Sequence, residues 1–201
     1  MPDARLYLIT PALNAADLAA FAPRFAEALG AGDVASVLVR LAPAADARRI
    51  VGALLEIAAA HDAALLIEHD ARLAARLGAD GVHVEAAKVA EAVESLKSQR
   101  IVGAGGLKLR DDAMTAGEAG ADYVMFGEPG VSASFEATLE RVGWWAEIFE
   151  APCVACAASL DEVAPLAAAG ADFIALEGAV WEAASAAEAV RAATEILAGR
   201  P

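Results

Sequence analysis

Two short stretches of this sequence combine histidine with carboxylates: Glu68-His69-Asp70, and His83 with Glu85. Imidazole nitrogens and carboxylate oxygens together suit a transition metal such as Zn²⁺ or Mn²⁺. One interpretation is therefore a metal site with the candidate ligands His69, Asp70, His83 and Glu85. The other interpretation is structural, and the pattern favours it. Asp70 stands directly before the helical pattern ARLAARL, where a helix N-cap belongs, and His83 suits a packed strand position.

Glycines form two further clusters, Gly103-Ala104-Gly105-Gly106 and Gly127-Glu128-Pro129-Gly130. Both follow or end a predicted strand. Glycine at such a point lets an anion approach backbone N–H groups, but it also serves ordinary tight turns. The residue types alone leave both interpretations open.

The elements that position these residues are indicated by a repeated phrase. Gly-Ala-Asp followed by an apolar run occurs as GADGVHVE, GADYVMFG and GADFIALE, with the glycines at positions 78, 120 and 170. Each phrase ends an alanine-rich helix with a glycine cap and starts a buried strand. Intervals of 42 and 50 residues leave room for one more βα unit in each, at roughly 25 residues per unit. The pattern predicts an α/β protein with a single (β/α)8 TIM barrel.

Eight strands are predicted, with helices between them: Arg5–Thr10, Val34–Arg40, Ala64–Glu68, Gly81–Glu85, Ile101–Ala104, Asp122–Gly127, Pro152–Cys156 and Asp172–Glu177. In such a barrel the active site lies at the carboxyl ends of the strands. The histidines, glycine clusters and carboxylates named above fall at those ends. We therefore expect them to share one mouth.

Composition narrows the function classes. A length of 201 residues with 58% hydrophobic residues suits one TIM-barrel domain over residues 1–201. The net charge of −14 opposes nucleic acid as a partner, since counterion release needs clustered Lys and Arg. No apolar stretch approaches the roughly 18 residues that span a bilayer, so we expect no membrane partner and a cytoplasmic location.

Two local patterns are interpreted as packing. Cys153 and Cys156 form a C-x-x-C within a predicted strand, where side chains three positions apart point to opposite faces, so we expect buried structural thiols. Trp144 and Trp145 are adjacent on a predicted helix and cannot both face one way. We expect one in the core and the other over a rim or a subunit contact.

The order of these features resembles the thiamine phosphate synthase and TenI family of small barrels over nearly the whole chain. The matching segments are RLYLITP, SVLVR, ARLGADGVHV, IVGAG, GADYVMFG and AGADFIALEGAVW. The resemblance implies a synthase that joins a hydroxymethylpyrimidine pyrophosphate to a thiazole phosphate with Mg²⁺, or an isomerase of the thiazole phosphate. It also implies a phosphorylated small molecule as ligand, held by Arg40, Gly105, Gly106, Gly127, Ala158 and Gly178. It assigns no catalytic residue, and a homo-oligomer stays open.

Several positions differ from the family's motifs. Leu38 and Ala42 stand where the second strand usually has Gln and Lys, which leaves Arg40 alone, and Lys88 stands where an Asp serves the metal. Ala158 replaces a glycine of the phosphate cradle, and the Thr-x-Thr-Lys loop is absent. These differences support a divergent member with most substrate-binding motifs eroded. The alternative is a non-catalytic small-molecule-binding or regulatory paralogue that needs no Mg²⁺.

Strand-end carboxylates add to these differences. The four glutamates that fall at the predicted mouth are Glu68, Glu85, Glu128 and Glu177. Unless cations intervene, they repel a pyrophosphate by several kcal/mol at moderate dielectric. A simpler interpretation is that some of them pair with bases at the rim.

Overall fold

The computed structural model describes residues 4–96, 99–131 and 134–199. Within them eight parallel strands form a closed barrel in which each strand pairs with its sequence neighbours and β8 pairs with β1. The strands, β1 to β8, are Arg5–Ile9, Val34–Val39, Ala64–Glu68, Gly81–Glu85, Ile101–Gly105, Tyr123–Phe126, Cys153–Ala157 and Phe173–Leu176. The predicted barrel is confirmed, and each strand end lies within one residue of its predicted position.

Helices cover the outside of the barrel. In chain order α1 to α9 are Leu18–Leu29, Ala47–Ala60, Ala71–Leu77, Val89–Leu96, Arg110–Glu118, Phe135–Ile148, Val163–Ala168, Gly178–Trp181 and Ala186–Leu197. Short 3₁₀ turns at Ala86–Lys88 and Leu160–Glu162 precede α4 and α7. None of the helices in the described ranges is long and apolar enough to cross a membrane.

The repeated Gly-Ala-Asp phrase has a structural explanation. Its glycines, Gly78, Gly120 and Gly170, have φ angles of 79°, 91° and 107°, which end the preceding helices in left-handed geometry. Each aspartate then bonds the neighbouring strand: the side chains of Asp80, Asp122 and Asp172 accept the backbone N–H groups of Leu65, Val102 and Cys153 at 2.7–2.8 Å. The phrase therefore sets the start of β4, β6 and β8.

The two cysteines lie on opposite faces of β7, as predicted. Cys153 belongs to the apolar layer between barrel and helices, whereas Cys156 packs against the cluster inside the barrel. Both thiols are free. Burial raises the pKa of Cys153 to about 12 and that of Cys156 well above its ordinary value, so neither is a ready thiolate at neutral pH.

Candidate functional site

The carboxyl ends of the strands form one mouth, and the structure brings the predicted ligand-binding residues to it in two groups. Gly127, Ala158 and Gly178 line a cavity of about 300 Å³ together with Cys156, Ala157 and Glu177. Gly105 ends β5 and Gly106 follows it, and both lie against Glu128. Their role in holding a ligand stays a prediction.

Arg40 is held by the chain itself. Its backbone N–H donates to the Thr10 hydroxyl at 3.0 Å, and its Nε–H donates to the Thr10 carbonyl oxygen at 2.9 Å. Its guanidinium forms an ion pair with Glu177, which directly follows β8, and the two side chains are 20% and 26% exposed. The cation that the resemblance assigns to a phosphate is therefore paired with a carboxylate.

The backbone of Ala158 has a similar internal partner. Its N–H donates to the Glu162 Oε2 atom at 2.7 Å, across the turn that leads into α7. The resemblance assigns phosphate to this loop. In this structure the Ala158 N–H group instead binds the carboxylate of Glu162.

A chain of four polar side chains runs from inside the barrel to the mouth. The hydroxyl oxygens of Tyr7 and Tyr123 lie 2.8 Å apart, the Tyr123 hydroxyl lies 2.9 Å from His83 Nδ1, and His83 Nε2 lies 2.8 Å from Glu128 Oε1. Tyr7, Tyr123 and His83 are between 1% and 6% exposed. The Glu128 side chain keeps 14% of its surface exposed, so it alone of the four reaches the mouth appreciably.

The ionised state of Glu128 sets the direction of the hydrogen bond nearest the mouth. Burial raises the pKa of Glu128, but the hydrogen bond and charge of His83 and the Gly106 N–H together bring the net pKa below its ordinary value. Its carboxylate therefore only accepts, and His83 Nε2 carries the hydrogen. The hydrogen bonds among His83 Nδ1, the Tyr123 hydroxyl and the Tyr7 hydroxyl join the imidazole to the two phenols. Burial raises the pKa of both phenols, which keeps them protonated.

Two glycines make room for this network. A Cβ on Gly103 would lie 2.0 Å from the Tyr123 ring, and one on Gly105 would lie 2.2 Å from His83 Nε2 and 2.4 Å from a Glu128 oxygen. The next residue, Gly106, donates its N–H to Glu128 Oε2 at 2.6 Å. The glycine cluster at the end of β5 thus binds the carboxylate of Glu128. The sequence alone allowed either an external anion or a tight turn at this point.

The four candidate metal ligands are not brought together. Asp70 caps α3 by accepting the Leu73 N–H at 2.8 Å, which confirms the structural interpretation of that residue. His69 is largely exposed with a left-handed φ of 69°, His83 is engaged with Glu128, and Glu85 is exposed on β4. Among the residues that the structure describes, no three His, Cys, Asp or Glu side chains are grouped to hold a metal ion.

The positions that the resemblance links to Mg²⁺ do not fit that ion. Mg²⁺ needs carboxylate and water oxygens in an octahedral arrangement. His69 stands where the family has the first of its metal-binding Asp residues, and it offers an imidazole in place of a carboxylate. Lys88 stands at the second position and places its ammonium group 3.1 Å from Glu91. These residues do not form a Mg²⁺ donor set.

The sequence interpretation missed the two tyrosines and the pairing of His83 with Glu128. A signal was present, because alternate residues of a barrel strand face inward. Tyr7 and Tyr123 stand among aliphatic residues in RLYLI and YVMF, and a buried Tyr hydroxyl needs a polar partner. His83 on β4 was the available candidate.

We predict that Tyr123→Phe lowers the free energy of unfolding by about 1–3 kcal/mol, because it leaves the buried Tyr7 hydroxyl and His83 Nδ1 without this partner. Urea denaturation followed by circular dichroism measures the change. Tyr7→Phe is the matched control, since it removes one hydroxyl but leaves the Tyr123–His83 hydrogen bond intact. A larger loss for Tyr7→Phe than for Tyr123→Phe would contradict the central position of Tyr123 in the network.

Comparison with known proteins gives consistent matches. A family model described as thiamine monophosphate synthase matches residues 6–180. The chain is 44% identical over 194 residues to the thiamine-phosphate synthase of Rhodospirillum centenum, covering 90% of this chain and 91% of that protein. It is 43% identical over 127 residues to the thiamine-phosphate synthase of Erythrobacter litoralis, covering 59% of this chain and 60% of that relative.

Solved structures agree in fold. A thiamine phosphate pyrophosphorylase from Pyrococcus furiosus matches with a TM-score of 0.80 and 23% identity, over 98% of this chain and 96% of that one. A 3-hexulose-6-phosphate synthase matches with a TM-score of 0.69 and 18% identity, over 95% of this chain and 99% of that one. At these identities the likeness concerns the barrel, since one barrel fold supports many chemistries.

Proposed function

The chain belongs to the thiamine monophosphate synthase family, and from that premise we propose that its mouth binds a small, non-phosphorylated precursor of thiamine without the synthase reaction. The precursor is a neutral or cationic pyrimidine or thiazole alcohol. One observation carries the proposal: two of the groups that would hold a phosphate, the Arg40 guanidinium and the Ala158 N–H, are bound by the carboxylates of Glu177 and Glu162.

Electrostatics favours the same ligand class. A phosphate entering the cavity beside Gly178 would have to displace Glu177 from Arg40 and would meet a second carboxylate at Ala158. At about 4 Å and an effective dielectric near 20, each like-charge encounter costs roughly 4 kcal/mol before screening. A neutral or positively charged ring avoids this repulsion.

The differences from the family's synthase motifs also support the proposal. The synthase reaction releases pyrophosphate and needs Mg²⁺ to neutralise it. The positions linked to that ion hold a histidine, His69, and a lysine, Lys88. We infer a family member whose mouth has been remodelled, either as a binder or as a regulatory barrel.

A second candidate is the synthase itself. The 44% identity to the Rhodospirillum centenum thiamine-phosphate synthase, over nine-tenths of both chains, favours it. In that case Arg40 would exchange Glu177 for the phosphate of the incoming thiazole. The two candidates therefore differ in whether Arg40 is needed for product formation.

The experiment incubates the purified protein with Mg²⁺ and both phosphorylated precursors and measures thiamine phosphate by chromatography. We expect no product above the uncatalysed background. The unphosphorylated pyrimidine or thiazole alcohol should raise the melting temperature, because a ligand that binds only the folded state stabilises it. The Rhodospirillum centenum relative, assayed in parallel, checks the reagents. Product formation that Arg40→Ala abolishes would establish the synthase and overturn the proposal.

A further inference from the structure

We propose that Glu128 is the ligand-binding group of the mouth and that it takes a ligand nitrogen carrying a hydrogen, either a neutral N–H or a protonated ring nitrogen. This inference rests on the proposed function and specifies which of its ligands bind best. The juxtaposition that carries it is a carboxylate at the mouth fixed from below by His83 and Gly106.

The hydrogen bonds of Glu128 leave acceptor capacity unused. An ionised carboxylate has about four lone-pair sites. One oxygen accepts from His83 Nε2 at 2.8 Å and the other accepts from the Gly106 N–H at 2.6 Å. Each oxygen can therefore accept one further hydrogen bond. Because the side chain is 14% exposed at the mouth, a ligand can reach it.

The surroundings of Glu128 are built to hold it in place. Tyr7, Tyr123 and His83 form a hydrogen-bonded column beneath it, and all three are buried. A Cβ at position 105 would overlap both His83 and the Glu128 carboxylate, so these two side chains pack closely against the Gly105 backbone. A side chain fixed in this way loses little conformational freedom when it binds, which strengthens the interaction.

An N–H donor is the chemical partner that this group selects. An ionised carboxylate repels phosphates and ring nitrogens that present only a lone pair, and it favours N–H groups, above all those on a cation. Of the two ring classes of the proposed function, a pyrimidine that bears an amino group offers N–H donors, whereas the nitrogen of a neutral thiazole ring offers only a lone pair. We therefore assign the aminopyrimidine to the Glu128 side of the mouth.

The test measures binding of the hydroxymethyl aminopyrimidine, and of the same ring without its amino group, by titration calorimetry. Glu128→Gln should raise the Kd of the aminopyrimidine about tenfold, the lower range for a charge-assisted hydrogen bond. Removing the amino group from the probe should raise the Kd of the wild-type protein by a similar factor. Combining both changes should add little, because the two changes remove one shared contact.

Glu136→Gln is the matched control. Glu136 is exposed in the first turn of α6, and its substitution makes the same change in net charge. It should leave the aminopyrimidine Kd within twofold of the wild-type value. Melting temperatures of both variants report whether Glu128→Gln retains the fold, and the comparison of the two probes on the wild-type protein needs no variant.

Three results would overturn the inference: no binding of the aminopyrimidine to the wild-type protein, an unchanged Kd in a folded Glu128→Gln variant, or effects of variant and probe that simply add. Failure of the proposed function has a separate signature. That signature is formation of thiamine phosphate in the synthase assay, which does not depend on the Glu128 measurements.

Discussion

Trp145→Ala is expected to lower the free energy of unfolding by about 3–5 kcal/mol, the range for truncating a fully buried aromatic side chain. Trp145 lies on α6, is 1% exposed and belongs to the apolar core. Its ring stacks on Phe149 with centroids 4.0 Å apart and lies edge-on to Phe126 at 6.1 Å. Its indole N–H donates to the Ala151 carbonyl oxygen at 2.7 Å. The substitution therefore removes packing and leaves that carbonyl without this donor.

The neighbouring Trp144 provides the matched control. It is half-buried, and the Arg110 guanidinium lies 4.6 Å from its ring centroid, in a cation–π contact. Trp144→Ala should cost only about 1–2 kcal/mol, since much of its surface already meets water. Urea denaturation of both variants measures the difference. Equal losses of unfolding free energy for the two variants would contradict the expectation that the buried tryptophan contributes more to stability.

The two tryptophans show how far the sequence alone predicts packing. Successive residues on a helix point about 100° apart, so adjacent tryptophans must differ in environment. The expectation that one lies in the core is confirmed by Trp145. The sequence could not say which one, because that depends on how α6 is rotated against β6 and β7, a result of packing among residues far apart in the chain.

The barrel itself was more predictable than its mouth. Left-handed glycine caps and alternating apolar runs are local signals, and both act within about ten residues. Even so, the aspartates of the repeated phrase have a role that sequence reasoning did not foresee, since Asp122 bonds the backbone of Val102 on the neighbouring strand. Parallel pairing brought the strand ends into one mouth, as expected from topology.

The contacts within the mouth could not be predicted, because they join side chains from different strands. His83 and Glu128 are 45 positions apart in sequence, and their contact depends on the space left by Gly105. Strand-end glutamates were recognised as a repulsive group, and pairing with rim bases was the simpler interpretation. That interpretation is confirmed for Glu177 with Arg40. Glu128 instead pairs with a buried histidine.

The internal carboxylates of the mouth lead to the second large expected effect. Glu177→Gln combined with Glu162→Ala should increase the affinity for inorganic phosphate about a hundredfold over the wild-type protein. The first substitution frees the Arg40 guanidinium, and the second frees the Ala158 N–H. Together they remove two negative charges from the edge of one cavity, and each such charge opposes an anion by up to roughly 4 kcal/mol at moderate dielectric. About 2.7 kcal/mol of this would suffice for the expected gain.

Titration calorimetry with inorganic phosphate at low ionic strength measures this gain, which should shrink as salt is added. The control pair, Glu147→Gln with Glu195→Ala, changes the net charge equally at exposed helix positions on α6 and α9 and should alter the affinity little. Adding Arg40→Ala to the double variant should abolish most of the gain, because the guanidinium supplies the charge-assisted hydrogen bonds to phosphate. If the double variant binds phosphate no better than the control pair, the carboxylates of Glu162 and Glu177 are not what excludes phosphate. The chief support for a non-phosphorylated ligand would then be lost.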